Sequence, residues 1–529
     1  MDGLSAWPFW LPLLVGTALP LGLLLYKLST YAMLFPYWDE WHLTLFIDSF
    51  YSGRLRIADL WVQHNEHRLF FPRLVMLLLA IPTGWSFWPE HLTSLTLALL
   101  TLFLLIQLAR VNAEIPYRAY LALPLLTFFV LSWTQMENWV WGFQLQIFLC
   151  VLSVVAGVFC IARWPSSWWA LAAAAAFGLV AAFSFASGLL YWLILFPMVV
   201  GMPEGDRRQR LLRGLIWAGV GVVLFQLYFL GFNKPDVVPA EAAGLLHPVK
   251  FLLLYLGNPV AGLFWTPNWH GGERAPIQLL QYLPGVLGSG LFVWIVYATY
   301  RDAPDDKMAL WWRLAPWLSL AAFACAVGLV IPVGRPGVPL NEALNSRYLT
   351  NANLFWCALS VLACRRLPAV FVLRPEGRRG AFDVSHWGVV LIVLLALLPQ
   401  LRVNAVWEER VVWKRMGFEA LRAGHITEMY LRDLCWDPVR LQREFLPILA
   451  RHKLCGFGDD TRRPQSKDYL EQARLLRARN LLPQARIFCE TALWLDQGST
   501  EAQVLHREIG AQMREQKSSP TAPAAAPPQ

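Results

Sequence analysis

The sequence predicts an all-α polytopic membrane protein, with about eleven transmembrane helices, interfacial helices in the first outer loop and a small helical C-terminal domain. Three observations carry this. Of 529 residues, 57% are hydrophobic and the mean hydropathy is +0.43. Only 15% are charged, against roughly a quarter in a soluble globular chain. Apolar runs of about twenty residues, the length that crosses a bilayer, recur along most of the chain. The net charge of +9 therefore does not point to nucleic acid. Lys and Arg gather in particular loops, which is a signature of membrane topology. The 27 Trp residues suit the headgroup belts where indole partitions.

Taken in order, the first apolar run, from about Phe9 to Leu34, is long enough to be a retained span instead of a cleaved signal. Spans are expected at about 9–31, 90–110, 119–134, 143–163, 167–187, 188–201, 214–232, 276–300, 310–331, 347–364 and 386–403. The apolar run from Leu69 to Ile81 is bounded by Pro72 and Pro82 and is too short to cross, so it reads as a re-entrant or interfacial helix. In the long first outer loop (32–89), Leu43, Phe46, Ile47, Phe50 and Tyr51 recur at helical spacing. They predict an amphipathic helix lying flat on the membrane and ended by Gly53.

With the N-terminus in the cytoplasm, the inner loops hold Arg110, Arg118, Arg163, "RRQRLLR" (207–213), Arg301, Lys307, Arg313, Arg365, Arg366, Arg374, Arg378 and Arg379. This satisfies the positive-inside rule. Counting 69–81 as a span would move Arg110 and Arg118 outside. The expected location is a bacterial inner membrane. Residues 1–404 form the transmembrane domain. Residues 405–517 form a periplasmic helical domain containing one tetratricopeptide-like hairpin (Ala485, Cys489, Ala492, Leu493, Leu495), and 518–529 form a disordered Pro/Ala-rich tail. Of the 8 Cys, Cys150, Cys160, Cys325, Cys357 and Cys364 lie in or beside spans as small buried hydrophobes. Cys435, Cys455 and Cys489 lie in the tail, where an oxidising compartment would permit Cys435 and Cys455 to pair. No spacing resembles a zinc site.

This orientation sends five polar motifs to one compartment: "YWDEWH" (37–42), "HNEHR" (64–68), "QMENWVWGFQ" (135–144), "FSFASG" (183–188) and "GRPGVPLNEALNSRY" (334–348). Asp39 and Glu40 directly follow the first span. They are either solvated acids flanked by the interface anchors Trp38 and Trp41, or a carboxylate set to take a proton from an attacking hydroxyl. In "HNEHR", His64, His67 and Arg68 would share a face if helical, with Glu66 elsewhere. The cluster suits a phosphate or sugar, or a hydrated rim with Arg68 near headgroups; a metal held by His64 and His67 is the least favoured of these readings. Arg335, Arg347 and Tyr348 flank a Gly- and Pro-rich loop. They read as a site for a specific phosphate in preference to headgroup snorkelling. Glu137, Asn138, Gln144 and Gln146 are suited to sugar hydroxyls, with Trp139 and Trp141 either stacking on a sugar or anchoring the interface.

Together these residues resemble the GT-C superfamily of membrane glycosyltransferases, which use polyprenyl-phosphate sugar donors. The match lies in the acidic Asp39-Glu40 after the first span, the long first outer loop leading through "HNEHRLFFPRLVMLLLAIPTGW" to a second span, the many spans that follow, and an outer C-terminal domain. It covers about the first 400 residues in layout. "WDEWH…HNEHR…ENWVWGFQ…SRY" also looks like a pattern in uncharacterised bacterial membrane proteins. The resemblance implies that Asp39 is the base that activates an acceptor hydroxyl, with Glu40 assisting, and that Arg347, with Arg335, offsets charge on the phosphate of the lipid donor. It implies inversion at the anomeric carbon and requires no nucleotide loop; a divalent cation is not favoured. The implied partners are a polyprenyl-phosphate-linked sugar, membrane lipids and a glycan, lipid or protein acceptor, with a protein partner for the C-terminal domain and no nucleic acid. A flippase for a lipid-linked saccharide is the alternative, but such transporters carry internal repeats and midplane polar groups, and the polar groups here gather in outer loops. A non-catalytic assembly subunit would leave Asp39, Glu40 and Arg347 without a task.

Overall fold

A computed structural model describes residues 7–111, 120–203, 205–234, 244–263, 279–302, 306–366, 372–373, 382–401, 405–458 and 464–518. The expected span 119–134, the Arg374–Arg379 loop and the tail 518–529 fall wholly or partly outside those residues.

The helices follow the apolar pattern. Helix α1 (Trp7–Tyr31) leads to a 3₁₀ turn at Trp38–His42, helix α2 (Leu43–Tyr51), a two-stranded hairpin of β1 (Gln63–His64) and β2 (His67–Arg68), and α3 (Phe70–Thr83). Then come α4 (Trp88–Val111), α5 (Leu123–Val130), α6 (Met136–Val140), α7 (Leu145–Arg163), α8 (Trp168–Ala182), α9 (Leu190–Val200) and α10 (Arg207–Phe229). They are followed by α11 (His247–Ala261), α12 (Leu279–Arg301), α13 (Lys307–Gly334), α14 (Leu349–Arg366) and α15 (Val384–Gln400). By length and composition, six described helices can cross a membrane. They correspond to the expected spans at 9–31, 90–110, 143–163, 214–232, 276–300 and 310–331. The other expected spans are shorter or more polar helices. The region 119–134 is cut after Val130 because the Ser132 side chain accepts from the Thr134 amide and opens a new turn.

Two features depart from the expected pattern. Helix α11 was not foreseen, since Lys250, Asn258 and Pro259 interrupt its apolar run. It packs closely on α12, where a Cβ on Gly285 would overlap the Leu253 carbonyl; small residues permit such backbone approach. The "HNEHR" motif is a hairpin, not a helix. His64 pairs with His67 across a turn in which Asn65 takes φ +48°, a conformation Asn tolerates better than most residues.

The helices run between two polar ends. At one end the Arg365 guanidinium donates to the carbonyls of Arg313 and Ala109, and Arg366 pairs with Asp302 at 2.5 Å. At the other end lie Glu90, Glu137, Arg335 and Arg347, with the first outer loop.

The C-terminal helices α16 (Ala405–Arg422), α17 (Glu428–Leu434), α18 (Leu446–His452), α19 (Ser466–Ala478), α20 (Leu482–Leu495) and α21 (Thr500–Ser518) share one core with that loop. Trp41 donates its indole N–H to the Leu434 carbonyl at 2.9 Å and stacks on Phe445, while Phe35 stacks on Phe418. Helix α2 turns Leu43, Thr44 and Ile47 inward and leaves Phe50 and Tyr51 exposed. Its Asp48 accepts from His452 at 2.8 Å. The expected membrane-surface helix is thus also the seat of the C-terminal helices. A buried ion pair adds a second tie: Lys27 of α1 donates to Glu408 of α16 at 2.6 Å, and Trp133 donates to the same carboxylate oxygen at 2.8 Å. All eight cysteines are free thiols, Cys435 and Cys455 included.

Candidate active site

The 38–42 turn follows α1 after the six non-helical residues 32–37, and α1 is itself packed against α5 and α15. His64 Nε2 lies 3.4 Å from Asp39 Oδ2, an ion-pair separation without hydrogen-bond alignment. The hairpin turn at 64–67 is what brings His64 there. Burial alone would push the Asp39 carboxyl up, but the imidazoles of His64 and His42 and the Arg347 guanidinium outweigh it and hold the carboxyl below its ordinary value. His42 is pushed down to about 4 by burial and by neighbouring His64 and Arg440. Its Nε2 accepts from Arg440 at 3.4 Å, which ties the site to the segment before α18.

His67 stacks on Phe185 with ring centroids 4.2 Å apart, and its Nδ1 accepts the Ala186 amide at 3.2 Å. "HNEHR" and "FSFASG" therefore meet. Burial pushes His67 down to about 3, so it is neutral at physiological pH, with its proton on Nε2, 3.8 Å from Glu66 Oε1. Glu66 also pairs with Arg335, some 270 residues later in the chain.

Arg347 lies against Glu342 at 3.4 Å and over the Tyr348 ring at 5.3 Å, with 37% of its side chain exposed. Glu137 stands beside it. Its amide donates to Ser346 Oγ, and the Ser346 hydroxyl donates back to Glu137 Oε2 at 3.3 Å. Burial raises the Glu137 carboxyl, and the Arg347 charge offsets part of that rise. Asp39, His64, Glu66, His67, Glu137, Arg335, Arg347 and Tyr348 thus form one neighbourhood, drawn from four distant stretches of chain.

Other expected site residues are placed differently. Arg68 is 4% exposed, and its guanidinium donates to the carbonyls of Trp61, Tyr228 and Leu230. It pins the hairpin to the end of α10, and its donors are consumed within the fold. Asn138 is buried and donates to the Arg347 carbonyl at 3.0 Å and to Thr350 at 2.7 Å. It supports Arg347 from behind and does not face a ligand. Gln144 and Gln146 are buried at the start of α7. Trp139 and Trp141 are buried as well, which removes them as sugar-stacking platforms. The exposed rings near Asp39 are Trp38, held at φ +48°, and Trp436, whose centroid lies 6.0 Å from that of His42. Among the described residues no group of three or more His, Cys, Asp or Glu has the arrangement of a metal site.

The largest difference from expectation is Glu40. It is 1% exposed and turns away from Asp39 toward Glu90, which is fully buried at the start of α4. Glu90 had no motif to announce it. The only local signal was an acid in the first turn of a long apolar helix, where acids are common.

No family model matches the chain, and no curated protein does. Two solved structures resemble it, both of ArnT from Cupriavidus metallidurans: one bound to undecaprenyl phosphate and one in the apo state. Each is 14% identical with a TM-score of 0.41; they cover 96% and 98% of this chain and 81% and 82% of the other. A likeness of that depth assigns no residue and no substrate to this chain. By its own helices, the chain is an all-α polytopic membrane protein.

Proposed function

We propose that the protein is an inverting glycosyltransferase that moves a sugar from a polyprenyl-phosphate donor to an acceptor at the periplasmic face of a bacterial inner membrane. In this reading the N-terminus is cytoplasmic and residues 405–517 form a periplasmic unit that covers the acceptor side. The observation that carries the reading is an Asp39 carboxyl held low by His64, His42 and Arg347, the last from a loop about three hundred residues away, with Arg335 of the same loop seated on Glu66 of the His64 hairpin. Each arginine is held by an acid, Glu66 or Glu342, that an anionic ligand can displace.

In the reaction, the acceptor hydroxyl attacks the anomeric carbon and the carbon–oxygen bond to phosphate breaks, with its electron pair leaving on the phosphate oxygen. The hydroxyl proton passes to Asp39. A carboxylate held low is ionised at neutral pH. It orients the hydroxyl first and accepts its proton late, once bonding to carbon has made that hydroxyl acidic. Arg347 presents a planar fork suited to phosphate and offsets the charge that grows on the leaving group, with Arg335 as its second cation. Neutral His67 and Glu66 stand beside them as groups for sugar hydroxyls.

The test is transfer by purified protein reconstituted with an undecaprenyl-phosphate-linked sugar. Asp39→Asn should abolish turnover and leave donor binding intact, whereas Arg347→Ala should weaken donor binding. Full turnover by Asp39→Asn would remove the base. Movement of donor across the bilayer without any transfer would favour the flippase instead.

A further inference from the structure

Glu40 and Glu90 are the two most deeply buried carboxyls beside the site, at 1% and 0% exposure. Each has one oxygen engaged: Glu40 Oε2 accepts the Tyr37 amide at 3.3 Å, and Glu90 Oε1 accepts the Trp85 indole N–H at 3.2 Å. The remaining oxygens, Glu40 Oε1 and Glu90 Oε2, are buried and make no aligned hydrogen bond; the nearest neutral donor to Glu40 is the Trp141 indole N–H, itself without another partner. Both border the same glycine: a Cβ on Gly142 would overlap Glu90 Oε2 and lie 3.1 Å from Glu40 Oε1. Among the described residues neither acid makes an ion pair. The titratable groups around them are the Cys455 thiol and His91, next to Glu90 in the chain. His91 is itself occupied by the carbonyls of Met33 and Trp139.

Two buried carboxylates in contact, without a cation, cannot both be ionised. A single proton resolves both orphaned oxygens, because an acid O–H on one group donates to the carboxylate of the other. The start of α4 favours the negative charge on Glu90, so Glu40 takes the proton on Oε1 and donates to Glu90 Oε2.

We propose that Glu40 and Glu90 share one proton as an acid–carboxylate pair, and that this pair is the positioning element that holds the 38–42 turn so that Asp39 faces His64. The role rests on the reading of Asp39 as the base. Glu40 lies next to Asp39 in a tight turn, so anchoring its side chain to α4 fixes the direction in which Asp39 points. Glu40 is therefore a positioning residue and touches no substrate.

Infrared spectra of the full-length protein in lipid nanodiscs at neutral pH test the pair without any substrate. The difference between wild type and Glu90→Gln should show a protonated-carboxyl band lost in the variant, since the amide donates to Glu40 and leaves it ionised. Glu40→Gln should lose the same band. In the transfer assay, Glu90→Gln should stay within about threefold of wild type, because the amide restores the hydrogen bond. Glu90→Ala should lose at least tenfold in kcat with KM for donor unchanged. The wild-type rate should also decline on the alkaline side as the shared proton is lost, and this decline should be absent in Glu90→Gln. A band that survives in both Gln variants overturns the shared proton. Equal kcat in Glu90→Gln and Glu90→Ala overturns the positioning role. If Asp39→Asn turns over normally while the band behaves as described, the catalytic reading fails and the pair stands.

Discussion

The two acids of "WDEWH" sit on opposite sides of one turn, and the two sides are built in opposite ways. Asp39 faces the His64 imidazole and, farther off, the Arg347 guanidinium, at a partly open surface. Glu40 faces a group of its own sign, Glu90, in a closed interior. Neighbouring carboxyls of nearly equal intrinsic acidity are thereby driven apart, Asp39 down and Glu40 up. The difference teaches that environment can separate adjacent carboxyls: in the proposed reading Asp39 keeps its charge for a ligand, and Glu40 gives up its charge to hold the turn.

The division can be broken at several points. The largest effect is expected on the open side. Asp39→Asn keeps shape and removes the proposed base, so kcat should fall by about 10²–10⁴ while the thermal midpoint falls only slightly; a large parallel loss of stability would show that Asp39 is an anchor after all. Next is Arg347→Ala. Losing a charge-assisted contact with phosphate costs about 2 kcal/mol, or roughly thirtyfold in donor affinity, read by titration with the lipid donor. Arg347→Lys should recover part of it, since a point charge replaces the fork.

On the closed side, Gly142→Ala drives a methyl group into the Glu40–Glu90 contact. Overpacking of this kind costs about 1–3 kcal/mol. It should lower the unfolding midpoint more than it lowers donor binding, the reverse of Arg347→Ala.

The smallest effect is in pH, and its sign differs between the sides. The folded Asp39 carboxyl lies below its ordinary value, so its contribution to stability is present above about pH 4 and is lost as pH falls through the folded value. Glu40 lies above its ordinary value. The folded chain holds that proton where the unfolded chain has released it, so stability falls as pH rises above about pH 4 through the folded value. Melting curves across pH should therefore flatten on the acid side in Asp39→Asn and toward neutral pH in Glu40→Gln. The same change in both variants would erase the distinction between them.

Much of the fold was legible because it depends on short-range pattern. Apolar length marks the long helices, Pro72 and Pro82 mark the short α3, and helical spacing over Leu43–Tyr51 marks α2. Among the described residues, Arg313, Arg365 and Arg366 gather at one end of the bundle. The site was legible only in outline. Asp39, His64, Glu66, Arg335, Arg347 and Glu137 were named from residue type and compartment, and they do come together. Arg68 and Asn138 carry the same polar chemistry, yet their donors go to backbone and to Thr350. Trp139 and Trp141 look like their exposed counterparts Trp38 and Trp436, and only packing separates them.

By itself the sequence determined the class of protein, the position of its longest helices and the end of the bundle at which its chemistry gathers, because hydrophobic length and charge bias act locally along the chain. The tertiary structure alone decided that "HNEHR" turns as a hairpin, that Arg68 is a latch, and that Glu40 belongs to Glu90. Each of those outcomes depends on what stands opposite in space, and burial and neighbours set two adjacent carboxyls on opposite sides of their ordinary acidity.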